Sequence, residues 1–246
     1  MEQQRIVAIL DEVFAGIDKA RANAEQNLRN ARELFESHLQ SVFARAEKDW
    51  PIVDLADLAG DITDGDHMPP PKSSEGVPLI TISNINKQTH SVDFDDTFMV
   101  SDEYFRRLKP NKKPQKGDVL YTVTGSFGIP VRVEHDNPFC FQRHIGLVRP
   151  NSETTSAWLY YLLLSPQAFD QADVAATGTA QKTVSLKVLR SLKVPRVPLA
   201  EQHRLTRSLD ALSAETRRLA TIYQQKLTNL GELKHSLLAR AFAGDL

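Results

Sequence analysis

Glu2-Gln3-Gln4-Arg5-Ile6 at the start of the chain returns near its end as Glu201-Gln202-His203-Arg204-Leu205. With that offset held fixed, identities recur without a gap at Leu10/Leu209, Asp11/Asp210, Ala15/Ala214, Gln26/Gln225, Leu28/Leu227, Asn30/Asn229, Glu33/Glu232, Leu34/Leu233, Ser37/Ser236, Leu39/Leu238 and Phe43/Phe242. Self-similarity at a fixed separation sets architecture before any local reading does. Both copies carry a helical period. The sequence therefore predicts two similar long helices, over 1–49 and 200–246, with one globular insert over 50–199 between them.

In the second copy apolar side chains fall at Leu205, Leu209, Leu212, Leu219, Tyr223, Leu230, Leu233 and Leu237, with breaks at Thr216 and Lys226. Steps alternating between four and three make a heptad seam. The first copy gives a narrower stripe, Ile6, Leu10, Val13, Ile17, Ala20, Ala24, Asn27, Ala31 and Leu34. Small residues facing large ones suit two closely packed helices, and a polar residue in each seam fixes register. About 40 residues at about 1.5 Å each span about 60 Å. A lone amphipathic helix of that length exposes its seam, so it needs a partner, either the other copy or another chain. Leu10, Ile17 and Leu34, with Leu209, Leu219 and Leu233, are the expected contact residues. A plain helical hairpin closing a domain is the alternative, but two similar helices flanking one insert favour a spacer.

The 246 residues suffice for one large or two small cores, and 41% hydrophobic with 25% charged residues is ordinary globular composition. A net charge of -1 excludes a broadly basic coat and leaves room for a local basic face. The single cysteine, Cys140, lies in the apolar run Pro138-Phe139-Cys140-Phe141, reads as core, and fits a reducing cytoplasm. There is no apolar leader and no stretch of 18 uncharged apolar residues, so neither a signal peptide nor a membrane span is expected.

Trp50-Pro51 ends the first helix, because proline cannot continue a helix interior. Short β-type runs follow: Val77–Ile82, Asp118–Val123, Ile129–Val133 and Ile145–Arg149, parted by turns such as Thr63–His67 and Thr124–Gly128. Ala157–Leu164, stopped by Ser165-Pro166, and a segment starting near Ser185 read as helices. The insert is thus expected to be α+β, a twisted, mainly antiparallel sheet with short helices, flanked by two long coiled-coil helices.

Three motifs carry a resemblance. Pro195-Arg196-Val197-Pro198-Leu199-Ala200-Glu201-Gln202-His203-Arg204 leads into the second helix; Lys116-Gly117-Asp118-Val119-Leu120 precedes Thr124-Gly125-Ser126-Phe127-Gly128; and Gly178-Thr179-Ala180-Gln181-Lys182 follows. Together they resemble the specificity subunit of type I restriction-modification systems, over essentially the whole chain. The resemblance implies a target recognition domain that reads double-stranded DNA, with helices that act as spacer and dock methyltransferase and restriction subunits. Such subunits generally hold two recognition domains and this chain holds one, so it looks like half a subunit, either a half-length protein that pairs as a homodimer or a piece of a longer one. S-adenosylmethionine, ATP and Mg would belong to the partner subunits, and the chain itself would be no enzyme.

A DNA reader needs donors and acceptors on loops that enter a groove, with cations or amides for phosphates. The expected contacts are Asn84, Asn86 and Lys87; Ser126; Gln142, Arg143 and His144; and Thr179, Gln181 and Lys182. Arg143 can donate twice to guanine, and Asn84, Asn86, Gln142 or Gln181 can pair with adenine. Arg106, Arg107 and the basic run Lys109–Lys116 could meet phosphates, although a solvated turn is the simpler reading. Catalytic readings fail on the residues: Asn137-Pro138-Phe139 falls short of an adenine-methyltransferase loop, and no phosphate-binding loop is present. Glu232-Leu233-Lys234 lies on a heptad helix, and the histidines lack ligand spacing with Cys140. The competing function is a coiled-coil adaptor whose β-rich insert binds a protein, separable by salt dependence.

Overall fold

Apolar side chains at steps of three and four wind both ends of the chain into long helices, α1 (Glu2–Asp49) and α7 (Leu199–Ala243). The computed structural model describes residues 2–68, 70–178 and 181–244, without the side chains of Glu2 and Gln3. It divides into two units, Met1–His38 with Ser208–Leu246, and Leu39–Arg207.

In the first unit α1 buries Ile17, Ala24 and Ala31 and half-buries Leu10, Phe14, Leu28 and Phe35. From α7 come buried Leu209, Ser213 and Thr216 and half-buried Ala220, Tyr223, Leu227, Leu230, Lys234 and Leu237. These positions keep the four-three rhythm of a heptad seam. Lys234 Nζ lies 2.9 Å from Asp18 and 5.3 Å from the Phe14 ring centre, which sets the end of α7 beside the start of α1. The helices therefore run antiparallel.

The seam departs from the sequence reading by one residue at alternate positions. Val13, Asn27 and Leu34 are exposed, and Phe14, Leu28 and Phe35 face inward in their place. Bulkier neighbours win the interior face because they bury more apolar area. On α7, Leu219 is half-buried, while Leu233 is 47% exposed and Lys234 takes its place. The lysine covers apolar surface with its stem and keeps its head on Asp18. Thr216 is no break: its hydroxyl donates back to the Leu212 carbonyl at 2.9 Å, which lets it sit buried in the seam.

The second unit opens with β1 (Ile52–Asp54), a single turn α2 (Leu55–Leu58) and β2 (Ala59–Asp64). Next come β3 (Val77–Ile80), the hairpin β4 (Ile85–Asn86) and β5 (Ser91–Val92), β6 (Phe98–Val100) and α3 (Asp102–Arg107). Then follow β7 (Val119–Thr122), β8 (Pro130–Arg132), β9 (Cys140–Phe141) and β10 (Ile145–Pro150). The helices α4 (Ser156–Leu164), α5 (Pro166–Ala175) and α6 (Leu186–Arg190) lead to β11 (Lys193–Pro195). A four-stranded antiparallel sheet has the order β2-β10-β7-β8, and a three-stranded sheet the order β6-β3-β9, its β3–β9 pair parallel. β1 pairs antiparallel with β11, Ile52 opposite Pro195, so the chain enters and leaves this region on one two-stranded ladder.

Between the sheets lie Ile80, Leu120, Val131, Phe139, Phe141, Ile145 and Leu147, with Cys140 1% exposed in the adjoining cluster. α4 is buried on nearly every side, from Trp158 to Leu163. Trp158 stacks on Phe43 with ring centres 4.7 Å apart. That contact explains why the second unit begins at Leu39, before the helix break at Pro51.

Ser165-Pro166 does more than stop α4. Its serine caps a further helix, α5, by accepting from the Ala168 N–H, and proline stands at the first helical position, where a missing N–H costs nothing. Two family-like motifs also acquire structural roles. Asp118 is 2% exposed and takes two bonds from Arg149, at 2.8 and 2.7 Å, plus the Gln115 N–H at 2.9 Å. Gln202 is fully buried: its oxygen accepts the Thr155 N–H and its amide donates to the Glu153 and Val197 carbonyls, each at 2.8 Å.

Candidate nucleic-acid interface

The turn at 124–128 sits at the end of the β7–β8 hairpin, and its shape follows from glycine. Gly125 and Gly128 have φ of 73° and 88°, which side-chain-bearing residues rarely adopt. The Thr122 hydroxyl donates to the Ser126 carbonyl at 2.8 Å and accepts the Ile129 N–H at 3.0 Å, closing the turn from inside.

Three other segments are drawn to this turn. Gly125 N–H donates to the Lys182 carbonyl at 3.0 Å, and Val184 N–H to the Val123 carbonyl at 2.8 Å. Thr124 and Thr183 form an antiparallel bridge, and a Cβ on Gly125 would stand 3.0 Å from the Gln181 side-chain nitrogen. Val123 N–H donates to the His144 carbonyl at 2.9 Å, bringing the Gln142–His144 turn alongside. Lys87 Nζ donates to Ser126 Oγ at 2.6 Å from the β4–β5 hairpin. Lys87, Ser126, Gln142, Arg143, His144, Gln181 and Lys182 thus gather at one end of the β7–β10 pair, although they are scattered in sequence.

Their side chains differ in what they offer. Arg143 and Gln181 are exposed; Arg143 Nε donates to His144 Nε2 at 3.3 Å, which holds the two side chains side by side. Lys182 Nζ pairs with Asp173 on α5 at 2.5 Å, so part of its charge is already answered. Asn86 is exposed, but its oxygen accepts the Gln88 and Thr89 N–H groups, shaping the hairpin and leaving its amide outward. Asn84 is 6% exposed: its oxygen takes the Thr81 N–H and hydroxyl, and its amide donates to the Asp96 carbonyl. With its groups spent inside the fold, Asn84 positions the loop. Thr179 lies outside the described residues.

The basic run is partly tied down as well. Lys112 Nζ binds the Gly65 carbonyl at 3.2 Å and Asp66 at 3.0 Å; Lys113 Nζ binds the Arg106 carbonyl at 3.0 Å; and Arg107 pairs with Glu103. Asp66 forms a bridge with Gln142, and a Cβ on Gly65 would stand 1.9 Å from the Phe141 carbonyl oxygen. Gly65 and Asp66, at the start of the β2–β3 loop, are therefore pressed against Phe141 and Gln142. Burial raises the Asp66 carboxyl, but the bonds from Tyr104 and Lys112 outweigh it and hold the group below its ordinary 3.8.

Sequence reasoning did not assign Phe127, Phe169 or Asp173. Phe127 and Phe169 stack at 5.5 Å with an interplanar angle of 9°. The available signal was the Ser165-Pro166 helix start, which puts Phe169 and Asp173 one turn apart on α5. Among the described residues no group of three or more His, Cys, Asp or Glu could hold a metal, and no helix is long and apolar enough to cross a membrane.

A family model described as the type I restriction modification DNA specificity domain matches residues 47–228. The specificity subunit of the type I restriction enzyme EcoBI of Escherichia coli is 24% identical over the whole chain, which covers 56% of that relative. The EcoDI specificity subunit is 30% identical over 96 residues, 39% of the chain. A chain solved in work on complex assembly and conformational transition of the type I R-M system superposes with a TM-score of 0.81 at 23% identity. The match covers all of this chain and 60% of that one. The HsdS subunit from Thermoanaerobacter tengcongensis gives 0.66 at 22%, over 100% and 59% of the two chains. The chain thus spans little more than half the length of the EcoBI subunit and of these two solved chains, and its match to the EcoDI subunit covers 22% of that protein.

Proposed function

On the premise that the chain belongs to the type I restriction modification DNA specificity family, we propose that it is a non-catalytic subunit that reads one half of a bipartite double-stranded DNA target. The observation that carries the reading is the gathering of Lys87, Ser126, Arg143, His144, Gln181 and Lys182 at one end of the sheet. Exposed donors on turns are what a groove requires, and the turns are held by main-chain bonds, so little order has to be gained on binding.

The helix pair serves as the spacer and as the docking face for methyltransferase and restriction subunits. Its seam closes inside the chain, while Val13, Leu34, Ile222 and Leu233 remain 38%, 53%, 46% and 47% exposed for a partner. A second copy of the chain completes a two-fold assembly in the cytoplasm, and the methyl donor and nucleotide bind to the partner subunits.

The test uses the full chain with and without its methyltransferase subunit on a pool of random duplexes. A sequence-selective complex whose log affinity falls linearly with log salt is expected, with adenine methylation only when the methyltransferase is present. Salt-insensitive binding without sequence preference, or methyl transfer by the chain alone, would overturn the proposal.

A further inference from the structure

The tip of the glycine turn shows one polarity and one apolar surface, side by side. A lysine ammonium has three donors and no acceptor, so in the 2.6 Å Lys87–Ser126 contact Ser126 Oγ accepts. A serine hydroxyl has a single hydrogen, and that of Ser126 has no acceptor among the described residues. Lys87 therefore takes one of the two lone pairs of Ser126 and turns its hydroxyl hydrogen away from the ammonium, which favours Ser126 as a donor. Next in sequence, Phe127 stacks on Phe169, which is 41% exposed and lies so close over Gly128 that a Cβ there would be 2.6 Å from its ring. The glycine lets the aromatic pair lie flat against the turn, and the cations Lys87, Arg143 and Lys182 stand on the same gathered loops. A negatively charged duplex complements that set of cations.

In the major groove guanine shows two acceptors, adenine an acceptor and a donor, and cytosine a donor; thymine shows an acceptor beside a methyl group. A donor meets an acceptor on guanine, adenine or thymine, but only thymine sets a methyl group beside its acceptor for an apolar ring to cover, so the pair matches thymine best. Resting on the proposal that this end of the insert enters DNA, we infer that the Ser126-Phe127 tip reads a thymine. The Ser126 hydroxyl donates to O4 and the Phe127–Phe169 pair covers the C5-methyl. Lys87 is a positioning residue that sets the direction of the hydroxyl.

The experiment takes the duplex selected by the full chain and replaces each thymine of the half-site in turn. Deoxyuridine removes the methyl only; 4-thiothymine keeps the methyl and the adenine partner but offers a weak sulfur acceptor. At one thymine deoxyuridine is expected to weaken binding about fourfold, the worth of one buried methyl, and 4-thiothymine about fivefold, the worth of one hydrogen bond. Phe127→Ala should erase the first contrast and Ser126→Ala the second, with Ser126→Thr restoring it; each contrast is a ratio within one variant, so a general loss of affinity does not imitate it. Selective binding by a chain indifferent to both substitutions at every thymine, a half-site without thymine, or variants that keep the parent's ratios would overturn this inference alone. A chain that selects no sequence would overturn the DNA reading beneath it as well.

Discussion

Replacing Gln202 with alanine tests whether the Glu-Gln motif at the head of α7 is a clamp. The side chain is fully buried and makes three bonds at 2.8 Å, to the Thr155 N–H and to the Glu153 and Val197 carbonyls. At about 1 kcal/mol net for each bond, the lost bonds alone amount to about 3 kcal/mol, and stranding a buried N–H and two carbonyls adds to it. Water admitted to the cavity returns part of that, so the expected cost is about 3 to 4 kcal/mol, against a typical total of about 5 to 15. For a unit of this size that lowers Tm by roughly 6 to 16 °C. Urea unfolding followed by the fluorescence of Trp158, which is buried against Phe43, measures it. Gln202→Glu should fail similarly, since a carboxylate cannot donate to the two carbonyls. A loss under about 1 kcal/mol in both variants would show that the motif is not what holds α4 to the start of α7.

Leu209→Asp should unfold the helix pair, because Leu209 is fully buried, at a cost of several kcal/mol by circular dichroism. Leu233→Asp, at a position 47% exposed, should leave helicity intact and weaken only association in light scattering. The Asp66 carboxyl, held below its ordinary value, contributes stability that is complete above about pH 4 and is lost as pH falls through its lowered value. Asp66→Asn should flatten that acid limb of a stability-against-pH curve by lowering stability at neutral pH, and leave the acid end less affected. Adding one heptad to both long helices lengthens the spacer by about 10 Å, or about three base pairs. Methylome mapping should show a changed gap and an unchanged half-site, and an unchanged gap would count against the spacer.

The repeat made the two long helices legible because a 3.6-residue period survives over many turns. Which side chains close the seam was less legible. Val13 and Phe14, or Leu233 and Lys234, stand about 100° apart around the helix and flank the seam on either side, and the choice between them depends on the opposing helix. Strands at 77–80, 119–122, 130–132 and 145–150 stood close to their sequence patterns. Short partners such as β5 and β9 were missed because two residues carry no period. At the site, the turns could be read from glycine and polar residues. Pairings such as Lys87 with Ser126 or Lys182 with Asp173 could not, since they join segments whose spacing in sequence says nothing of distance.

The β1–β11 ladder makes the region between its strands a cassette. Its two ends lie side by side, about 4.8 Å apart as in any paired ladder. A foreign domain whose own ends are equally close can be exchanged there without altering the length or register of either helix. Recombination at two short strands can then change the insert while both long helices are inherited unchanged.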